Sequence, residues 1–171
     1  MKRVLTTGIG GGFVGALIFW LYQVNFQGAT IPAFIGAQIV LQGKYALSPG
    51  WVGWGVHLWV SLSYAFLFAL IVRFLLPRRF TLNRTLAFAL ALALGWITTL
   101  IAAPAIQITI TLLAGKGFPA KLWPLNPAKG RPFWNHLIFF AVVWAIDTGS
   151  AFLHGEAGGN EAGDRPEGAG E

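Results

Sequence analysis

The sequence contains no cysteine among its 171 residues. Without a thiol the chain forms no disulfide bond, no thiolate metal site and no cysteine nucleophile. Other catalytic patterns are missing too: there is no HExxH, no Walker phosphate loop, no GxSxG and no pair of carboxylates in the body of the chain. These absences argue against an enzyme.

Charged residues are scarce. They make up 11% of the chain, against about 25% in an average soluble protein. A soluble domain of this size needs a charged exterior, whereas a helix bundle in a bilayer turns its outer surface toward lipid. With 56% hydrophobic residues, the composition predicts an all-α integral membrane protein.

Acidic residues are almost missing from the body of the chain. Five of the six lie in the last 16 residues, and only Asp147 precedes them, against 11 lysines and arginines. The basic residues cluster between long apolar runs, so we expect them to contact phospholipid headgroups and not nucleic acid. The glycine-rich acidic end, 155–171, has no large apolar residue and is predicted to be a disordered tail.

Four apolar windows reach the length of about 20 residues that a helix needs to cross the hydrocarbon core. They cover residues 4–24, 51–76, 85–103 and 132–153. Several tryptophans lie near their ends, as in the aromatic belts of membrane proteins. The sequence therefore predicts a single domain of four transmembrane helices, residues 1–154.

Two apolar stretches lie outside these windows, and each starts at a proline. Pro32 follows the first window and Pro104 follows the third. Proline removes a backbone donor and clashes with the preceding helical turn. We therefore predict that each proline breaks a helix and starts a short interfacial helix, with re-entrant segments and helix extensions as the alternatives.

The two prolines also suggest an internal repeat. Each Pro-Ala pair is followed after nine residues by Gly-Lys, and later by a His-Leu pair at His57 in one half and His136 in the other. We predict two helix–break–helix copies of the same orientation, 1–77 and 84–154, related by an axis along the membrane normal. The alternative is that proline after a helix and glycine–lysine at an interface are both common, so that these matches imply no repeat.

The orientation is predicted from the basic residues. They are spread almost evenly over the two sides of such a bundle. The basic N-terminus and the short connection that contains Arg78, Arg79 and Arg84 favour both termini in the cytoplasm, with the chain in the cell or inner membrane.

The first window contains glycines at four-residue spacing. Gly8 and Gly12 form one small-xxx-small pair, and Gly11 and Gly15 form another. Such pairs let a second helix approach closely. The partner helix is expected in this chain or in another subunit.

Asp147 is the one acid within the predicted spans. A carboxylate in hydrocarbon is costly and marks a paired or functional site. If His57 and His136 lie at equal depth, Arg73 is about 7.5 Å deeper than Asp147, within reach of a long side chain. We predict an intramembrane pair of Asp147 and Arg73, with a proton or ion relay as the alternative.

His57 and His136 occupy matching positions in the proposed repeat. Two histidines on neighbouring helices at one depth can ligate a haem iron or the magnesium of a chlorophyll-type pigment. Each lies only about two turns inside its helix, where an inter-helix hydrogen bond or an interfacial anchor is commoner. The first expectation is no cofactor, and haem or pigment is the second.

Three classes of function follow. The first is a small non-catalytic accessory or assembly subunit of a larger membrane complex, or a homo-oligomer. The second is transport or permeation of a small solute, an ion or a proton, with candidate polar groups at Asp147, Arg73, Thr98, Thr99 and Gln107. The third is cofactor binding through His57 and His136.

Overall fold

The computed structural model describes residues 1–75, 84–127 and 129–153. Within those ranges the chain forms five helices and no strand. They are α1 (Lys2–Phe26), α2 (Ile31–Gly43), α3 (Pro49–Leu75), α4 (Arg84–Leu113) and α5 (Arg131–Leu153). All except α2 are long and apolar enough to cross a membrane, in agreement with the four predicted spans. The predicted tail, 155–171, lies outside the described residues, as do Arg78 and Arg79.

Helix α1 packs against α5 through residues spaced by four. In antiparallel order, Gly11 lies against Val143 and Gly15 against the ring of Phe139. In an ideal α-helix, four residues rotate about 40° more than one full turn. A row of residues spaced by four therefore moves gradually around the helix axis. Thr6–Gly11 is π-helical, and the wider i→i+5 turns of a π-helix offset this drift.

A second row of small residues on α1 faces α3. A Cβ added at Gly12 would lie 2.8 Å from the Cα atom of Leu62, and a Cβ at Gly8 would overlap the ring of Phe66. Helix α1 therefore sits between α3 and α5. The glycines predicted for close packing have their partner helices within this chain.

Helix α2 crosses the start of α3 at two glycines. A Cβ at Gly36 would overlap the carbonyl oxygen of Pro49, and one at Gly53 would overlap that of Pro32, so the two backbones touch. Pro32 lies in the first turn of α2, where its missing N–H costs no helical hydrogen bond. The hydroxyl of Thr30 accepts from a backbone N–H of that turn. The short helix predicted after Pro32 is therefore present.

The break predicted at Pro104 is wrong. Helix α4 continues through this residue from Arg84 to Leu113, and no separate interfacial helix begins there. Proline has no N–H for the carbonyl of Leu100, one turn back. The backbone N–H of Asn126 donates to that carbonyl instead, at 2.9 Å. The chain after α4 thus supplies the donor that the helix lacks.

The connection that follows α4 folds back along it. The Gln107 amide N–H donates to the carbonyl of Lys121 at 3.0 Å, and its oxygen accepts the backbone N–H of Trp123 at 2.6 Å. The first half of the chain thus has a break and a short helix, whereas the second has a continuous helix and a returning loop. The internal repeat stays a prediction.

The far end of α4 extends past α5. Gly95 lies against Leu137, and the ring centroids of Phe88 and Trp144 are 4.9 Å apart, which fixes an antiparallel register. In that register the first residue of α5, Arg131, is level with about residue 101 of α4. The last 12 residues of α4, 102–113, therefore continue for about 18 Å beyond it.

This extension packs against α2. Ile110 forms a buried cluster with Ile35 and Ile39, and the Tyr45 hydroxyl donates to the carbonyl of Leu113 at 2.9 Å. We call α2, residues 44–48, residues 102–113 and the connection 114–127 the outer module. It stands at the end of the bundle where α5 begins.

Candidate functional site

A cleft of about 830 Å³ lies between α3 and α4. Helices α1 and α5 contribute Phe19 and Phe139 to its lining, and α2 contributes Ile31 and Ile35. The cleft is therefore enclosed by parts of all five helices, and most of its wall is apolar.

Both candidate histidines line this cleft. The ring centroid of Phe19 is 5.2 Å from that of His57 and 6.1 Å from that of His136. The structure thus brings together two residues that are far apart in the sequence, against one buried phenyl ring.

Each imidazole uses one ring nitrogen on a backbone carbonyl. Nε2 of His57 is 3.1 Å from the oxygen of Ala16, and Nδ1 of His136 is 2.8 Å from the oxygen of Pro132. A carbonyl oxygen only accepts, so these nitrogens carry the protons. Nδ1 of His57 and Nε2 of His136 are left as the potential ligand atoms.

This geometry gives the cofactor hypothesis no support. Both imidazoles lie against the ring of Phe19, and each already donates one ring N–H to a backbone carbonyl. Ligation through Nε2 of His57 would also break its bond to Ala16. No cluster of three or more histidine, cysteine, aspartate or glutamate side chains that could hold a metal ion is present in the described part of the chain. Haem or pigment binding stays a prediction.

Asp147 pairs with Arg3 and not with the predicted Arg73. The Nε and Nη2 atoms of Arg3 donate to the two carboxylate oxygens at 3.0 and 2.6 Å. The hydroxyl of Thr7 donates to Oδ1 at 2.8 Å, and all three side chains are buried. Arg73 is exposed. The pair joins the first turn of α1 to the last turns of α5.

The predicted partner was wrong because depth alone was used to choose it. Arg73 lies in the π-helical end of α3, Ile71–Leu75, and rotation about the helix axis decides which way it faces. Arg3 was expected at the phospholipid headgroups together with the other basic residues, which cluster outside the long apolar runs. Its four-residue spacing from Thr7 and Gly11 was the sequence signal that places it on the α5 face.

The polar groups considered for transport are used inside the structure. The hydroxyls of Thr98 and Thr99 donate to carbonyls of their own helix, Gln107 holds the returning loop, and Asp147 is paired. None of these residues, nor Arg73, lines the cleft. Asp147 and Arg73 line one small cavity together with Arg3, and Thr98, Thr99 and Gln107 are not among its lining residues.

One end of the cleft carries polar residues that sequence reasoning missed. Gln27 and Asn135 join their amides at 2.7 Å across α1 and α5, and Asn126 and Arg131 line the cleft with them. The proline-rich segment before α5 contains no local sequence pattern that would place Asn126 near Arg131. This polar group could therefore not be predicted from the sequence.

Comparison of the chain with protein-family models, curated proteins and solved structures found no match. The candidate sites are the cleft, the outer module and the Arg3–Asp147 pair, each defined by contacts within this chain.

Proposed function

We propose that the protein is a non-catalytic accessory subunit of a larger membrane assembly, and that its outer module binds an acidic partner protein. The observation that carries the proposal is the combination, on that module, of exposed large apolar side chains with positive charge only. The bundle supplies the anchor, and the module supplies the contact.

The apolar surface of the module is the first support. Leu41 is 72% exposed, and Leu47, Phe118 and Leu125 are exposed with it. Exposed apolar side chains that lie outside the hydrocarbon indicate an interaction surface. If Arg131 marks the edge of the hydrocarbon, residues 102–113 extend about 18 Å past it, whereas the headgroup layer is only about 5–8 Å thick on each side. The lipid headgroups therefore leave the end of the module uncovered.

The charge of the module is the second support. It carries Lys44, Lys116 and Lys121, and it contains no acidic residue. Asp147, the one carboxylate in the described part of the chain, lies toward the other end of α5 and is paired with Arg3. Opposite charge on a partner favours encounter and correct orientation. The outer module of a second copy would present like charges, so the charge of the module disfavours a contact between two such modules and favours an acidic protein.

The same proposal includes an orientation. We infer that both termini are cytoplasmic and that the outer module lies on the opposite side of the membrane. Arg73 and Arg84 flank the short connection on the terminal side, and short loops rich in basic residues stay in the cytoplasm. The partner's acidic surface would then lie outside the cytoplasm.

Two matched variants test the docking surface. Leu41→Glu places a charge on the outer module, and Leu75→Glu places the same charge at the other end of the bundle, where Leu75 is 75% exposed. The protein is extracted from its native membrane in mild detergent, and the mass of the complex is measured. We expect a complex heavier than the 18.5 kDa chain, lost in Leu41→Glu and retained in Leu75→Glu.

The charge of the partner is tested separately. Lys116→Glu combined with Lys121→Glu should release the partner, and raising the salt concentration should weaken the wild-type complex. Lys2→Glu, at the opposite end, should have no effect. A chain that is monomeric in its native membrane, a complex of identical chains, or equal sensitivity to Leu41→Glu and Leu75→Glu would each overturn the proposal.

A further inference from the structure

We propose that the cleft between α3 and α4 binds one anionic membrane phospholipid, with its phosphate at Arg131 and an acyl chain along the apolar wall. The cleft shares part of residues 102–113 with the outer module. The exposed side chains of the docking surface, Leu41, Leu47, Phe118 and Leu125, do not line it, and the proposed lipid is a second ligand of different chemistry.

The charged and amide side chains of the lining lie at one level of the cleft, whereas its other polar side chains are hydroxyl groups and the two histidines. Gln27, Asn126, Arg131 and Asn135 gather where α5 begins, at the base of the outer module. This is the level at which a bilayer places its headgroups if Arg131 marks the edge of the hydrocarbon. An amphipathic ligand matches this division because its polar and apolar parts are equally separate.

The positive charge at that end selects an anion. Arg131 is exposed and lines the cleft, and Asp147 is held by Arg3 toward the other end of α5. The planar guanidinium group of arginine suits phosphate oxygens because it donates two parallel hydrogen bonds. The amide side chain of Asn126 adds a donor for a headgroup.

The rest of the cleft suits a hydrocarbon chain. Val56 and Val60 of α3 line it, with Phe139 contributed by α5. Trp59 also lines the cleft and is 74% exposed, so this side opens toward the surroundings of the bundle. A lipid can therefore enter laterally from the bilayer.

The volume of the cleft is that of a ligand site. Small-molecule sites span about 300–1,000 Å³, and the cleft holds about 830 Å³.

The test uses the purified full-length chain in a non-ionic detergent, with bound lipid counted by native mass spectrometry. The probes are phosphatidylglycerol, phosphatidylcholine with the same acyl chains, and palmitate. We expect one phosphatidylglycerol per chain, held about tenfold more tightly than phosphatidylcholine, because one charge-assisted contact distinguishes them. Palmitate separates a lipid phosphate from a fatty-acid carboxylate, and it should bind more weakly than phosphatidylglycerol.

Arg131→Gln tests the contact with the phosphate, and Lys116→Gln is its matched control. Arg131→Gln should weaken phosphatidylglycerol binding about tenfold and remove the headgroup preference. Lys116→Gln removes an exposed charge at the same end that does not line the cleft, and it should change binding less than about twofold. Val60→Trp fills the apolar wall and should weaken binding of both phospholipids, with thermal unfolding used to confirm that the variant is folded.

Three results would overturn the assignment. They are equal retention of the two phospholipids, unchanged binding in Arg131→Gln, and tighter binding of palmitate than of phosphatidylglycerol. Because the isolated chain is used, these results do not depend on a partner protein. Failure here and failure of the accessory role can therefore be distinguished.

Discussion

Asn126 and Leu100 are joined by a backbone hydrogen bond of 2.9 Å that replaces the one Pro104 removes from α4. The proline leaves the carbonyl of Leu100 without its usual helical donor. The backbone N–H of Asn126, in the returning loop, donates to that carbonyl instead. Pro104 therefore fixes the base of the outer module, since it creates the acceptor to which residue 126 is tied.

Replacing this proline should release the loop. In Pro104→Ala the new N–H competes with the N–H of Asn126 for the carbonyl of Leu100, and we expect the helical donor to displace the loop donor. We expect hydrogen exchange at Asn126 to rise at least about tenfold, which corresponds to one lost hydrogen bond of about 1.4 kcal/mol, and tryptic cleavage after Lys121 to accelerate. Pro119→Ala lies in the same connection and serves as the control. Unchanged exchange in Pro104→Ala would contradict this account.

The Arg3–Asp147 pair should dominate the stability of the terminal end of the bundle. Removing one partner of a buried ion pair leaves an uncompensated charge, so Arg3→Gln or Asp147→Asn is expected to cost about 3–5 kcal/mol of unfolding free energy in detergent. Arg73→Gln, an exposed arginine, should stay within about 0.5 kcal/mol. A loss from Arg73→Gln as large as that from Arg3→Gln would restore Arg73 as the partner. The double variant should cost less than the sum of the single changes.

Replacement of glycine by alanine should change the stability of the protein very differently at Gly12 of α1 and at Gly149 of α5. Gly12→Ala places a Cβ 2.8 Å from the Cα atom of Leu62, so α1 and α3 must separate, at a cost of about 1–3 kcal/mol. Nothing lies within 4 Å of a Cβ at Gly149, and Gly149→Ala should be neutral or stabilising by up to about 1 kcal/mol from helix propensity. Thermal unfolding of the two variants provides the comparison, and equal melting temperatures would be evidence against close packing at Gly12.

The orientation is open to direct labelling because the chain has no cysteine. A single cysteine at Lys116→Cys reports on the outer module, and one at Leu75→Cys reports on the opposite end. With a membrane-impermeant maleimide, we expect the first to react in intact cells and the second only after permeabilisation. The reverse pattern would place the outer module in the cytoplasm.

The sequence predicted the four long helices well because hydropathy is a local property summed along the chain. The start of α2 was also predicted from a local feature. Pro32 lies in the first turn of the helix, where its missing N–H costs no helical hydrogen bond. Pro104 has the same chemistry, but its effect depends on a donor 22 positions away, the N–H of Asn126. No window around the proline contains Asn126, so the predicted break could not be corrected from sequence.

Amino-acid order by itself thus determined the apolar spans, the excess of positive charge and the glycine rows, since each depends on residue type and short-range spacing. Only the tertiary structure decided that Arg3 rather than Arg73 meets Asp147, that both glycine rows are covered within the chain, and that α3 and α4 leave a cleft at Arg131. These outcomes depend on how the helices are rotated and where they fail to touch. The π-helical segments and the loop hydrogen bonds set that geometry between residues far apart in the chain.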